Sequence, residues 1–207
     1  MNATVQTGYF FMPEHIILVG ASERPHSLGE RIFSHLLGSS YQGKITPVNL
    51  RHSSVAGLPS YSSLSKIPGQ ADLVVAVIPH DHYDTLFKAC RKKGLRHIIL
   101  IQDWENLPPE SCKNARSIIQ KYHGDELNIS VCNSAGVQLP SLNLNIGTQA
   151  DYPAGHIALL TGHSTVSRNI NHLLNTIHQG VSRHISLNYN LSPTTSADWL
   201  NRFGHNR

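Results

Sequence analysis

Short apolar runs rich in β-branched residues alternate along this chain with longer amphipathic stretches, and that alternation constrains the fold more than any other feature of the sequence. The runs fall at 15–19 (HIILV), 44–49 (KITPVN), 72–78 (DLVVAVI), 97–101 (HIILI), 128–132 (NISVC), 157–160 (IALL) and 184–187 (HISL). They are nearly continuous in apolar character, as expected of parallel strands buried on both faces. Between them, 27–37, 83–93, 110–122, 164–179 and 196–203 carry helical spacing, for example Ile170, Leu173, Leu174 and Ile177. Strand and helix in strict succession predict an α/β protein built on a doubly wound parallel sheet.

Two stretches break the alternation. Residues 51–71 (RHSSVAGLPSYSSLSKIPGQA) are rich in Ser, Gly and Pro and read as a loop with one short helix. Residues 133–156 read as irregular, which predicts two units, 1–138 and 139–207, with the boundary near 139–145. Charged residues are only 14% of the chain, against about 25% in an average globular protein, so charge-driven disorder is excluded. A net charge of +4 is too mild and too dispersed for a nucleic-acid-binding face. The densest cations, Lys88, Arg91, Lys92, Lys93 and Arg96, close a helical pattern, where they complement the helix dipole. Three cysteines without CxxC spacing suggest a reducing compartment. With neither a signal-like N-terminus nor an apolar run long enough to span a bilayer, the expectation is a soluble cytoplasmic protein.

The turn after the first strand, GASERPHSLG, is the strongest chemical signal. Ligands of doubly wound sheets sit at the carboxyl ends of the strands, beginning with this turn. Gly20 lets the chain leave the strand tightly, Ser22 and Ser27 offer hydroxyls, Ser27 caps a helix whose first N–H groups suit an anion, and Gly29 permits close approach. The spacing is not GxGxxG. At the end of the second strand, where NAD-binding domains carry an acidic residue, the chain reads Val48-Asn49-Leu50-Arg51-His52. A cation there suits a ribose phosphate, carried at the 2′ position by NADP and at the 3′ position by coenzyme A.

The segments FFMPEHIILVGASERPHSLGERIFSHLL, YQGKITPVNLRHSSVAGLPSYSSLSKIP and ADLVVAVIP occur in that order. Together they resemble the CoA-binding domain of NDP-forming acyl-CoA synthetases, a group that includes the succinyl-CoA ligase α subunit and the synthetase-like region of bacterial protein lysine acetyltransferases. The resemblance implies a Rossmann-like first unit followed by a partial flavodoxin-like βαβα segment. It implies that Gly20, Ser22, Ser27, Leu28 and Gly29 cradle the CoA phosphates, and that Val48, Asn49 and Arg51 flank the adenosine and its 3′-phosphate. Ile78 and Pro79 would line the adenine and pantetheine side, Asp103 would stand for an acidic residue after the fourth strand, and Asn133 with Ser134 would meet the thiol end.

Departures from the family pattern bear on activity. Thr161-Gly162-His163-Ser164 replaces SQSG, Gln102-Asp103-Trp104-Glu105 replaces an SAGF-like turn, and Leu50 replaces a proline. The phosphohistidine region, the ATP-grasp portion and an acetyltransferase domain are not matched. The expectation is therefore a noncatalytic or regulatory module that binds CoA or an acyl-CoA. Three alternatives stay open: the CoA-binding part of a multi-subunit acyl-CoA synthetase or protein acetyltransferase, whose partner supplies the missing parts; an NADP-binding oxidoreductase or redox sensor; and a structural relic whose cleft is filled by side chains such as Arg24, His26 or Trp104. His80, Asp81, His82 and Asp84 are the best metal candidates, but with no further ligand cluster no metal is expected. His163 precedes a helix N-terminus and reads as a polar loop residue. Trp104 is placed to cap an adenine, and Trp199 to anchor the last helix.

Overall fold

The structure is a computed structural model that describes residues 10–124 and 127–204. Most of the N-terminal stretch read above for targeting features, and the last three residues, lie outside them. Along the chain run β1 (His15–Val19), α1 (Leu28–Gly38), β2 (Lys44–Val48), β3 (Ser54–Val55), β4 (Leu58–Pro59), β5 (Leu73–Ala76), α2 (Tyr83–Lys93), β6 (His97–Ile101) and α3 (Pro109–Tyr122). They are followed by β7 (Asn128–Leu139), β8 (Leu144–Ile146), β9 (Ala154–Thr161), α4 (Ser164–Thr176), β10 (Val181–Leu187) and α5 (Ser196–Gly204).

One sheet carries these elements in the order β2-β1-β5-β6-β7-β10-β9, with β8 also against β7. Neighbours from β2 to β7 are parallel, as are β9 and β10, whereas β7 meets both β10 and β8 antiparallel. The apolar runs are nearly continuous because both faces are covered. Ile16, Leu18, Val75, Ile99 and Ile101 pack with Ile32, Phe33 and Leu36 of α1 and Trp199 of α5. Alternate residues Ile17, Val74, Ile98 and Leu100 pack with Leu86, Phe87 and Cys90 of α2 and Ala115 and Ile119 of α3. That period of two is the pleat of each strand. Trp199 is fully buried against Phe10, Phe11 and Phe203, so it does anchor the last helix. The cations closing α2 sit just before Gly94, whose φ of +75° ends the helix.

Two expectations are corrected. Residues 51–71 hold the one short helix expected, a 3-10 turn at Leu64–Lys66, but also a hairpin that was not: β3 and β4 are joined by Ala56 and Gly57, both at positive φ, as a two-residue turn with right-handed twist requires. Residues 133–156 are largely strand. β7 runs on to Leu139, turns at Pro140–Leu142 and returns as β8. The sequence conceals this because the strand bulges. β7 advances from Cys132 to Val137 while β10 advances only from Leu187 to Ile185. Residues 133–136 thus stand opposite the single residue Ser186, and Asn133, Ser134 and Gly136 among them look like loop residues for that reason. Gly136 has φ +62°, and a Cβ there would lie 1.8 Å from the Ile146 carbonyl oxygen. Through this bent strand, residues on both sides of 139 share one sheet.

Candidate functional site

β1 lies between β2 and β5. The chain leaves β1 through α1 toward β2, then crosses to β5 on the other side, so the carboxyl ends of β1 and β5 form the crevice that such a reversal of strand order opens. The turn lining it is built by close backbone contact. Gly20, at φ +92°, donates its N–H to the Val48 carbonyl at 3.1 Å, and a Cβ on it would meet Val77 O at 2.3 Å and the Ile78 side chain at 3.0 Å. Ser27 caps α1, accepting from the Glu30 N–H at 3.2 Å. Ser22 Oγ accepts from the Arg24 N–H at 3.0 Å, and Leu28 packs half-buried on the core. The arrangement is a helix N-terminus brought onto a tight turn, the geometry that receives phosphate.

At the exit of β2, Val48 is buried in the sheet and presents its carbonyl, not its side chain, to the turn. Asn49 Nδ2 donates to the Ala21 carbonyl at 2.8 Å, and its Oδ1 accepts from the Arg51 and His52 N–H groups at 2.8 and 3.1 Å. Arg51 itself is exposed, as is Pro79, while Ile78 is half-buried beside Gly20. Glu23, which no sequence pattern singled out, reaches from the first turn to accept the Ala56 N–H at 2.9 Å and holds the β3–β4 hairpin beside it.

The second group of residues gathers at the bulge. Asn133 is buried and donates to the Gly162 and Leu187 carbonyls at 3.0 and 3.3 Å, tying β7 to the ends of β9 and β10. Ser134 Oγ lies 3.1 Å from Ser164 Oγ at the start of α4. His163 is the N-cap of α4, accepting weakly from the Thr165 N–H, and its Nε2 is 3.4 Å from Glu105 in the turn after β6. Arg31 of α1 donates to the Thr148 carbonyl at 3.0 Å, and Thr148 donates from both its N–H and its hydroxyl to the Ser134 carbonyl. The first turn and the bulge are thereby braced together. Neither Arg31 nor Thr148 carries a local signal, since their partnership spans 117 positions.

Asp103 is exposed and stands at the N-cap of the short turn Trp104–Asn106, where its carboxylate accepts from the Asn106 side-chain amide at 2.8 Å. Trp104 does not face the crevice. It is buried edge-on to Tyr83 and donates its indole N–H to the Cys132 carbonyl at 3.0 Å, because an indole inside a core needs an acceptor. Burial pushes the Cys132 thiol up to about 12, which leaves it no thiolate to act as a nucleophile. Among the described residues no group of three His, Cys, Asp or Glu side chains is placed to hold a metal ion. Asp84 is held by Lys88, Lys121 and the Tyr122 hydroxyl instead, which keeps its carboxyl well below the usual range. A cavity of about 810 Å³, lined by Met12, Tyr41, Lys44, Asp72 and Leu142 among others, shares no residue with the first turn.

The chain is 29% identical over 196 residues to the alpha subunit of an ADP-forming acetate–CoA ligase II from Pyrococcus furiosus, covering 93% of this chain and 42% of that protein. It is 23% identical over 198 residues to an ADP-forming acetate–CoA ligase from Methanocaldococcus jannaschii, covering 94% of this chain and 27% of that one. It therefore spans well under half the length of these relatives. Among solved structures, a Pyrococcus horikoshii OT3 protein superposes with a TM-score of 0.79 at 26% identity, over 93% of this chain and 44% of that one. A dinucleotide-forming acetyl-coenzyme A synthetase 1 from Ca. Korarchaeum cryptofilum, solved with phosphate and ADP, shares the fold with a TM-score of 0.79 at 23% identity, over 95% and 42% of the two chains. Residues 14–138, from the residue before β1 to the penultimate residue of β7, match the family described as CoA binding domain, and the chain belongs to that family.

Proposed function

We propose that this protein binds coenzyme A or an acyl-CoA across the carboxyl ends of β1, β2 and β5, as a binding or regulatory module without chemistry of its own. The observation that carries this reading is the serine-capped N-terminus of α1, drawn onto the turn after β1 by the backbone contact of Gly29 with the Gly20 carbonyl, so that a helix N-terminus stands at the carboxyl end of β1. Residues 20–29 would hold the pyrophosphate, Arg51 the 3′-phosphate, and Ile78 with Pro79 the apolar side of the ligand. Ser134, beside Ser164, would meet the thiol end, with 1–138 holding the nucleotide and 139–207 facing the thiol. Trp104 is turned into the core, with its indole N–H on the Cys132 carbonyl, so it does not fill the crevice.

A second reading is favoured by the similarity to an alpha subunit: the chain would supply the CoA-holding part of a cytoplasmic acyl-CoA synthetase or protein acetyltransferase, and a partner polypeptide the nucleotide-activating or acetyl-transferring part. No described helix is long and apolar enough to cross a membrane. Titration calorimetry with CoA, acetyl-CoA, 3′-dephospho-CoA and NADPH tests both readings. Binding of the first two with weaker binding of the third supports the assignment, and heat with NADPH alone transfers it to a redox cofactor. A stable complex with a synthetase or acetyltransferase partner, with acyl transfer appearing only on mixing, selects the second reading.

A further inference from the structure

Resting on that reading, we propose that Asn49 is a positioning residue that sets which nucleotide the site accepts, by fastening the segment that carries Arg51 to the turn after β1. The family resemblance implies that Asn49 flanks the adenosine, but the structure commits its carboxamide to the protein. Nδ2 bonds the Ala21 carbonyl, while Oδ1 receives two N–H groups from the next residues but one and two, Arg51 and His52. Its backbone N–H is also taken, by the Tyr61 carbonyl at 3.0 Å. One side chain thus joins the two edges of the crevice, the exit of β1 and the exit of β2.

The chemistry needs both ends of an amide. Asp would keep the acceptor and lose the donor, and Ala would lose both. Leu50, Arg51 and His52 are all exposed, so between the backbone bonds at the Asn49 N–H and the Ser53 carbonyl it is the Asn49 carboxamide that fixes this segment. A long cationic side chain on a loose segment must lose backbone as well as rotamer freedom when it grips a phosphate. With the backbone already held, only rotamer freedom is lost, and preorganisation of this kind raises affinity for the ligand that carries the phosphate. The Oδ1 bonds act on the segment that carries Arg51, so their share of the effect belongs to the 3′-phosphate.

Calorimetry with CoA and 3′-dephospho-CoA on the wild-type chain, Asn49→Ala, Arg51→Ala and the double variant reads this directly. The wild type is expected to prefer CoA by about tenfold, the strength of one charge-assisted contact. Asn49→Ala is expected to bring the preference to within about twofold while dephospho-CoA affinity moves by less than about threefold, and the double variant to discriminate no worse than Arg51→Ala, as coupled residues do. An unchanged preference in Asn49→Ala, or an equal loss for both ligands, overturns the positioning role and leaves the CoA reading standing. A wild type that binds neither nucleotide removes both. Should Asn49→Ala not fold, amide exchange in the wild type decides: Arg51 and His52 are expected to exchange about tenfold more slowly than exposed Leu50, as hydrogen-bonded amides do, and equal rates at all three sink the proposal.

Discussion

Gly29 of α1 rests on the carbonyl oxygen of Gly20, so closely that a Cβ at position 29 would lie 2.2 Å from it. The obstacle is backbone and cannot swing aside. Gly29→Ala is expected to push α1 off the turn, costing about 1–3 kcal/mol of stability as overpacking does and weakening CoA about tenfold or more, since anion binding depends on that helix end. Urea denaturation and calorimetry on the same preparation check the two effects, and a variant that binds as the wild type does removes the turn from the site.

The bulge in β7 depends on Gly136. Its φ of +62° and the Ile146 carbonyl beside it leave no room for a side chain. Gly136→Ala is expected to cost about 2–4 kcal/mol through backbone strain and displacement of β8. Equilibrium unfolding measures it, and a cost under about 0.5 kcal/mol, typical of an indifferent surface position, contradicts the described bend.

Trp104 should behave as a core residue and not as a ligand contact. Trp104→Phe keeps most of the ring's packing but leaves the Cys132 carbonyl without its indole donor, so a loss of about 1–3 kcal/mol is expected. CoA affinity should stay within about twofold, the change a residue outside the site produces. A large affinity loss at unchanged stability would restore the adenine-capping role.

His184 gives the protein a built-in acid sensitivity. It is buried between β9 and α4, with Nε2 3.1 Å from Thr161 Oγ1 and 3.2 Å from Ser167 Oγ, and the Tyr152 ring lies 4.7 Å away. Burial pulls its pKa from 6.5 down to about 3. The unfolded chain takes up the proton near the ordinary value, so unfolding binds a proton between those two pH values and stability falls as pH falls, by up to about 1.4 kcal/mol per pH unit. Above pH 6.5 the contribution is constant, because both states are neutral there. His184→Gln should have a flatter stability profile between pH 6.5 and 4.5, a window inside that shift. Identical slopes for the two proteins would mean the imidazole is not held neutral.

Much of the fold was legible because strands and helices announce themselves within a window of ten or so residues. Residues 97–101 and 83–93 are read from sequence with the bounds the structure shows, since an apolar run buried on both faces and a helix closed by Gly94 depend on near neighbours. The capped turn at Gly20, Ser27 and Gly29 was legible for the same reason. Asn49 and Asn133 were singled out through the family resemblance as ligand neighbours, and their role as struts was not legible. Polar side chains look alike in sequence whether they face a ligand or a carbonyl 28 or 54 positions away.

By itself, then, the amino-acid sequence determined the succession of strands and helices, the serine-capped glycine turn after β1 and the cation at Arg51, all properties of contiguous residues. Only the tertiary structure decided that β7 continues through a bulge, that Trp104 turns inward to the Cys132 carbonyl, and that Arg31 and Thr148 brace the first turn to the bulge. Those outcomes rest on which backbone groups remain unpaired once the sheet has formed. A buried carbonyl must find a donor wherever the chain brings one, and that choice is made in space, not along the sequence.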